Sequence, residues 1–454
     1  MIVFYNKLPV FLQNILVTLK NISVYNYKYG AIPFINPIYK IQKELLNKGF
    51  RINDSENLSK INNFLNYVTS KSFYYKKNKQ EYIQIKNIED FKNIPILKKN
   101  VLKQNIEEFY SKDISYGNYV KFKTSGTTGS PMVGFISKKD LMKRFKIILK
   151  TMCESGFDIT KPYARFLGKE LASSGPVFRK DYLNNHYFFS IFRLSNDTVY
   201  DYYNSIITNK IEFLEGYPST INNLVNLLKK HNLKVDCVKR VFVTAEKLNI
   251  YQKDNIEKFF RCKVFDYYGS TEQSIYIYKP VDSQNYLCSN ITGYLEVLNA
   301  KGELCNEGDC GEMVVTSFTS RFTPLVRYII GDSCRVQKII KNSDGSLNYE
   351  LSEIIGRNEE SFETMDGRIV SRFSLVLKFL PKKISAAQLF LSEKNNKVVI
   401  RYTSDYLISN NEFNEFQTRI IDFIGKGYNI SFLKVETLKK NNSGKVKTVF
   451  IDKK

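Results

Sequence analysis

A chain of 454 residues, 43% hydrophobic and 25% charged, is long enough for two or three domains that each bury a core; this excludes a disordered chain or a small stapled fold. Its formal charge of +23 suits nucleic acid or an anionic membrane, yet the lysines are dispersed along the whole length, which argues against a specific nucleic-acid site. Seven cysteines, an odd number with no C-x-x-C pair, exclude a disulfide framework and suit reduced thiols in the cytoplasm.

In chain order, Leu12, Ile15, Leu16, Leu19 and Ile22 recur at helical spacing and predict an amphipathic helix that starts at Pro9. The run is too short to span a membrane and lacks the small-residue cleavage site of a signal peptide. Its apolar stripe is expected to dock on the body of the protein; the other reading is loose, peripheral contact with the inner face of a membrane. Ile41 to Leu46 and Leu58 to Tyr67 continue a helical pattern, giving an N-terminal helical segment over residues 1–110. Tyr119 to Lys123, Val241 to Thr244, Val264 to Tyr268 and Met313 to Thr316 read as strands alternating with helices such as Ile221 to Lys230. This pattern predicts an α/β core over residues 111–356 with a largely parallel sheet. Cys288, Cys305, Cys310 and Cys334 fall in one stretch of it, too loosely spaced to make zinc more than a minor reading. After Gly356, Leu389 to Leu391 and Val398 to Tyr402 flank a polar turn and predict a hairpin. Phe413, Phe416, Ile420, Phe423 and Ile424 then mark an amphipathic helix ending at Gly425, so a small α+β domain over 357–454 follows a hinge near Arg357.

The chemistry is concentrated in Thr124-Ser125-Gly126-Thr127-Thr128-Gly129-Ser130-Pro131, directly after a strand. Hydroxyls and two glycines supply donors and a backbone free to take positive φ, as a polyphosphate-binding loop requires. No Gly-Lys-Ser/Thr follows, so it is not a Walker A loop. His186 and His231 are the chain's two histidines, expected at the surface; without a Gly-x-Ser-x-Gly elbow or clustered ligands they support neither a catalytic triad nor metal hydrolysis.

The loop resembles the phosphate-binding signature of the adenylate-forming superfamily of acyl-CoA synthetases and adenylation domains. Further motifs follow in that family's order: Thr244-Ala245-Glu246-Lys247-Leu248, Asp266-Tyr267-Tyr268-Gly269-Ser270-Thr271-Glu272, Pro324 to Tyr328 with Gly331-Asp332, Gly356-Arg357, and Asn442-Ser443-Gly444-Lys445. Leu8-Pro9, Ile94 to Leu97 and Gly216-Tyr217-Pro218-Ser219-Thr220 are similar to the phenylacetate-CoA ligase-like branch, especially its CapK-type members of capsular-polysaccharide biosynthesis. Met132 departs from the lysine that many of these loops carry after the proline.

The resemblance implies a large N-terminal α/β domain with an extra helical layer and a small mobile C-terminal domain. It implies ATP and Mg²⁺ as cofactors, a carboxylic acid as substrate, and a thiol such as coenzyme A, or an amine, as acceptor. Thr124 to Gly129, Glu246, Asp266, Tyr268, Asp332 and Arg357 are then the nucleotide-binding residues, and Lys445, Thr271 and Glu272 the catalytic ones. The residue types agree. Glu272 suits Mg²⁺, which takes one or two carboxylates plus phosphates and water. Thr271 can hydrogen-bond the α-phosphate; Tyr268 offers a ring for adenine to stack on, and Asp266, two positions earlier, shares its face. Asp332 has two oxygens for the ribose hydroxyls. Lys445 can neutralise charge shared by the attacking carboxylate and the α-phosphate, and Glu359 stands where the family has its hinge. Ala172 to Gly175 and Gly216 to Thr220 are candidate walls for the acid. The alternatives are an aryl- or acyl-CoA ligase of the phenylacetate type, an acyl transferase or acyl-protein synthetase of the same superfamily, and a non-catalytic protein on this fold that binds nucleic acid or a membrane surface.

Overall fold

A computed structural model of the chain describes residues 5, 8–29, 38–47, 56–115, 117–123, 133–167, 175–191, 193–357, 362–365, 369–370, 376–377, 380–381, 383–439 and 449–452. The longer helices are α1 (Val10–Tyr29), α2 (Ile38–Leu46), α3 (Asn57–Lys71), α4 (Lys138–Glu154), α5 (Val199–Thr208), α6 (Pro218–Lys230), α7 (Ile250–Phe260) and α8 (Asn410–Ile424). The first strands, β1 (Tyr119–Lys123) and β2 (Val133–Ser137), form a separate antiparallel hairpin.

The centre of the molecule is a twelve-stranded sheet. Its first half comprises β3 (Tyr163–Leu167), β4 (Phe178–Asp181), β5 (His186–Ser190), β6 (Phe213–Gly216), β7 (Arg240–Thr244) and β8 (Val264–Gly269). Strands β5, β3, β6, β7 and β8 lie parallel in that spatial order, with β4 antiparallel at the edge. Helices α5, α6 and α7 cover one face, where Phe166, Leu214, Leu224, Val241, Val243 and Ile256 pack together. The other face packs Phe213, Phe242 and Phe265 under Tyr25 of α1, Ile41 of α2 and Ile147 of α4. Such double cover is what parallel strands require, since both faces leave water. Because β5 and β6 lie on opposite sides of β3, the connections diverge there, the kind of position at which open α/β sheets take ligands beyond their strands' carboxyl ends.

The second half comprises β9 (Tyr276–Lys279), β10 (Tyr286–Cys288), β11 (Gly293–Leu298), β12 (Cys310–Ser317), β13 (Tyr328–Lys341) and β14 (Leu347–Arg357), and it is antiparallel throughout. This corrects the expectation of a largely parallel sheet. Connections as short as Asn342–Ser346, turning at Gly345 with φ +79°, leave no room for the crossover a parallel pair needs. Helix α3 covers this half through Ile61, Phe64, Leu65 and Val68.

Helix α1 docks with the opposite face from the one its apolar stripe predicts. Apart from Val17 and Tyr25, which turn inward, its buried contacts are polar: Gln13 Oε1 accepts from Arg179 Nε at 2.6 Å, Asn14 Oδ1 from the Lys180 amide at 3.0 Å, and Asn21 donates to Asp181 at 2.8 Å.

Two short strands, β15 (Phe362–Glu363) and β16 (Ile369–Val370), precede a four-stranded sheet of β17 (Ala386–Ser392), β18 (Lys397–Thr403), β19 (Asn429–Lys434) and β20 (Val449–Asp452). The expected hairpin is β17–β18, turning at Asn396 with φ 48°. Helix α8 opens with a capping box between Ser409 and Glu412, ends at Gly425 with φ 90°, and buries Phe416, Ile420 and Ile424.

Candidate active site

The expected site residues fall at the carboxyl ends of β6, β7 and β8 and at the start of β13. The loop after β7 is tied to its neighbours on both sides. Glu246 accepts from the Ser219 amide at 3.2 Å, which places a carboxylate at the N-terminus of α6, where it offsets the helix dipole. Lys247 pairs with Glu353 of β14. The two candidate motifs Gly216 to Thr220 and Thr244 to Leu248 are therefore one structural unit.

Tyr268 donates to Asp332 Oδ2 at 2.5 Å. Three strands, β9, β10 and β14, lie between β8 and β13 in the sheet. Laid flat at about 4.8 Å per strand they would separate the two residues by roughly 19 Å, beyond a tyrosine's reach, so the sheet curls and brings the end of β8 onto β13. Across the ladder, Asp332 stands opposite Arg357, of which the backbone alone is described. Four of the expected groups thus meet at one corner: Tyr268, Asp332, the turn of exposed Thr271 and buried Glu272, and the last residue of β14.

Glu272 is 5% exposed, and its carboxylate lies 3.5 Å from the Tyr328 hydroxyl on β13. Ser320 Oγ donates to the Glu272 carbonyl at 3.0 Å. The same segment anchors the β1–β2 hairpin, since the Phe135 amide donates to Thr323 Oγ1 at 2.9 Å. The stems of the hydroxyl-rich loop, Lys123 and Val133, face each other in register above this anchor. From below, Arg144 of α4 donates to the Gln273 and Ile275 carbonyls at 3.1 and 2.7 Å. A Cβ at Gly269 would sit 3.0 Å from its guanidinium, which accounts for the glycine in Tyr268-Gly269-Ser270. Burial lowers Arg144 to about 10, so it remains charged near neutrality.

Asp266 takes a different place from the one expected. It is 7% exposed and accepts a hydrogen bond from Tyr286 of β10, and burial raises its carboxyl to about 6. It braces the strand that carries Tyr268. Thr124, Ser125, Gly126, Thr127, Thr128, Gly129, Glu359 and Lys445 lie outside the described residues.

Sequence reasoning missed Arg144, the contact of Tyr328 with Glu272 and a charged network inside the parallel half. Glu215 of β6 accepts from Tyr163, Tyr267 and Arg165 Nε. Burial pushes its carboxyl up, but Arg165 and the two tyrosines outweigh this and hold it below the usual range. The available signal was a charged residue in each of two apolar strands, Tyr163 to Leu167 and Phe213 to Gly216. His186 borders this network. Its Nε2 is buried without a hydrogen-bond partner, and burial, together with Arg165 and Lys28, lowers it to about 3. The expected surface histidine is thus a neutral, half-buried one, because β5 lies between β3 and β4. Arg327 belongs to the scaffold: buried, it forks onto Glu296 with two 2.9 Å bonds and donates to the Lys92 carbonyl at 2.8 Å. Among the described residues no three or more His, Cys, Asp or Glu converge to hold a metal, Cys288, Cys305, Cys310 and Cys334 included.

No protein-family model matches the chain. Protein CapK of Staphylococcus aureus is 23% identical over 460 residues, covering 97% of both chains. A solved structure of 2-hydroxyisobutyryl-CoA ligase with 2-HIB-AMP, in the postadenylation state, shares the fold with a TM-score of 0.67 at 17% identity, covering 87% of this chain and 89% of that one. The chain shares the fold of this AMP-forming ligase. Indoleacetate–lysine synthetase of Pseudomonas savastanoi is 33% identical over 158 residues, 32% of this chain and 37% of the relative. The hydroxyisobutyryl ligase in its thioesterification state gives a TM-score of 0.56 at 88% coverage.

Proposed function

We propose that the protein activates a carboxylic acid with ATP and transfers the acyl group to a thiol or amine. The observation that carries this reading is the corner where Tyr268, Asp332, Thr271 and Glu272 meet beside the stems of the hydroxyl-rich loop. The residues fit a magnesium nucleotide: Glu272 is a buried carboxylate on a rigid turn, and one carboxylate with phosphates and water satisfies Mg²⁺. When bound, that ion neutralises phosphate charge and orients the leaving group.

Tyr268 is the platform for adenine, and Asp332 the acceptor for the ribose hydroxyls; their mutual hydrogen bond fixes the angle between ring and sugar. Arg144 holds the turn beneath, so Thr271 presents its hydroxyl to the α-phosphate. Thr124 to Gly129 wrap the β- and γ-phosphates, and Lys445 reaches the α-phosphate. A carboxylate oxygen attacks the α-phosphorus, the bond to the bridging oxygen breaks, and pyrophosphate leaves. The acceptor then attacks the acyl carbon and AMP departs. Between the two steps, residues 357–454 turn as a unit about Arg357 and Glu359 and withdraw Lys445.

Gly216 to Thr220 and Ala172 to Gly175 wall the acid pocket. Similarity to the hydroxyisobutyryl ligase favours coenzyme A as acceptor, and similarity to indoleacetate–lysine synthetase favours an amine. The end-to-end match with CapK supports a role in capsular or surface polysaccharide synthesis, and the positive charge supports work in the cytoplasm beside an anionic membrane. Carboxylate-dependent ATP–pyrophosphate exchange, run over aryl, fatty, amino and sugar acids, tests the reading. Exchange with one class of acid supports it, and its absence with every acid in a folded protein that binds no ATP refutes it.

A further inference from the structure

Helix α1 is amphipathic, yet it faces the wrong way for a helix that serves the core. Phe11, Ile15, Leu16 and Leu19 are 59%, 42%, 43% and 56% exposed, whereas Gln13 and Asn14 are 2% and 8% exposed. At about 100° per residue, Phe11, Leu12, Ile15, Leu16, Leu19 and Ile22 fall on one side and Gln13, Asn14, Val17 and Asn21 on the other. The polar side is held by β4, through Arg179, the Lys180 amide and Asp181. Thr18 Oγ1 extends that seam by accepting from the Tyr182 amide at 3.0 Å. A helix whose hydrogen-bonding side is matched to a sheet edge is fixed in this orientation, and its apolar stripe is left for something outside the chain.

We infer that the outward face of α1 seats in the headgroup layer of an anionic bilayer. The charge selects this occupant. From Met1 to Lys43 the chain has five lysines and no Asp or Glu, within a protein of net charge +23; Lys28 turns inward over Phe145, and Lys20, Lys40 and Lys43 are the exposed ones among the described residues. An apolar face with basic residues around it and no acid is the composition of a helix lying in a membrane interface, and each lysine near an anionic surface strengthens the contact. A second copy of the same surface would instead bring like charges together. No helix among the described residues is long and apolar enough to cross a membrane, so the contact is peripheral. Val10, at the start of α1, lies against Gly175; a Cβ there would be 3.4 Å from its methyl.

Vesicle co-sedimentation tests it with the full chain, using phosphatidylcholine vesicles with and without roughly a third phosphatidylglycerol. The wild type sediments with the anionic vesicles, less so as salt rises, and hardly with the neutral ones. A triple variant, Phe11→Glu, Ile15→Glu and Leu19→Glu, loses about a hundredfold in vesicle affinity while its unfolding midpoint and pyrophosphate exchange in solution stay unchanged. Three results overturn the inference: a wild type that ignores anionic vesicles at low salt, a triple variant that binds as tightly, or a wild-type dimer that the variant converts to monomer with no vesicle binding in either. Loss of exchange with vesicle binding intact would strike the proposed activity and leave the docking surface standing.

Discussion

The two halves of the central sheet handle charge differently. In the parallel half the buried charges satisfy one another: Glu215 takes Arg165 and two tyrosines, and these groups lie under helices. The antiparallel half buries one such pair too, Arg327 on Glu296, but where the sheet curls back on itself Asp332 of β13 meets Tyr268 of β8 beside the turn that carries Glu272. The lesson is a division of labour. The parallel half is the platform, and the curl into the antiparallel half brings polar groups from distant strands to one corner.

Perturbing each region should give a different phenotype. The largest effect belongs to a residue in neither half: Lys445→Ala should slow acyl-adenylate formation about a thousandfold, as expected for losing one charge contact of roughly 4 kcal/mol in the transition state, and leave stability unchanged. Single-turnover kinetics read the first step; survival of adenylation at full rate would mean that another group does this work.

Within the platform, Glu215→Gln should lower stability by about 3 kcal/mol, because Arg165 keeps its burial and loses its counter-charge. ATP affinity should hardly move. The sign of the pH dependence follows from the direction of the shift. The folded pKa of Glu215 lies below 4.5, so its contribution is present above pH 4.5 and lost as pH falls through the folded value. Urea unfolding of the variant should therefore show a flatter acid limb than the wild type. An equally steep limb would assign that slope elsewhere.

Asp266 behaves in the opposite sense. Burial raises its folded pKa from 3.8 to about 6, so the stability it contributes is present below 3.8 and lost as pH rises through about 6. Asp266→Asn should remove this decline, a difference on the order of 3 kcal/mol between the two limits. The smallest effect is at the junction: Tyr268→Phe should weaken ATP binding about tenfold by releasing Asp332, with little change in unfolding midpoint. Calorimetry distinguishes this from a stability effect, and the reverse pattern would make the Tyr268–Asp332 bond part of the scaffold.

Much of this architecture was legible from sequence because period and punctuation agreed. Val264 to Tyr268 read as a strand from its β-branched and aromatic run, and α8 from its stripe and its closing Gly425, while the Ser409 cap emerged only in the fold. The corner was legible as motifs, since Tyr268, Glu272 and Asp332 were each named. Their convergence was not, because the curl that joins β8 to β13 depends on strand order, which no local pattern encodes. The orientation of α1 was misread for a related reason. An apolar stripe shows that a helix has two faces, but the edge of β4, which satisfies Gln13 and Asn14, decides which face turns inward. Glu215 escaped notice because its partner Arg165 lies fifty residues away on a strand that pairs with β6 in the fold.

The most direct test of the central claim follows one oxygen atom. Incubating the protein with ATP, magnesium and a carboxylic acid labelled with heavy oxygen, then adding the acceptor, should leave one labelled oxygen in AMP, because the acid oxygen that attacked the α-phosphorus stays with it. Release of ADP and phosphate, or AMP without label, would contradict the account.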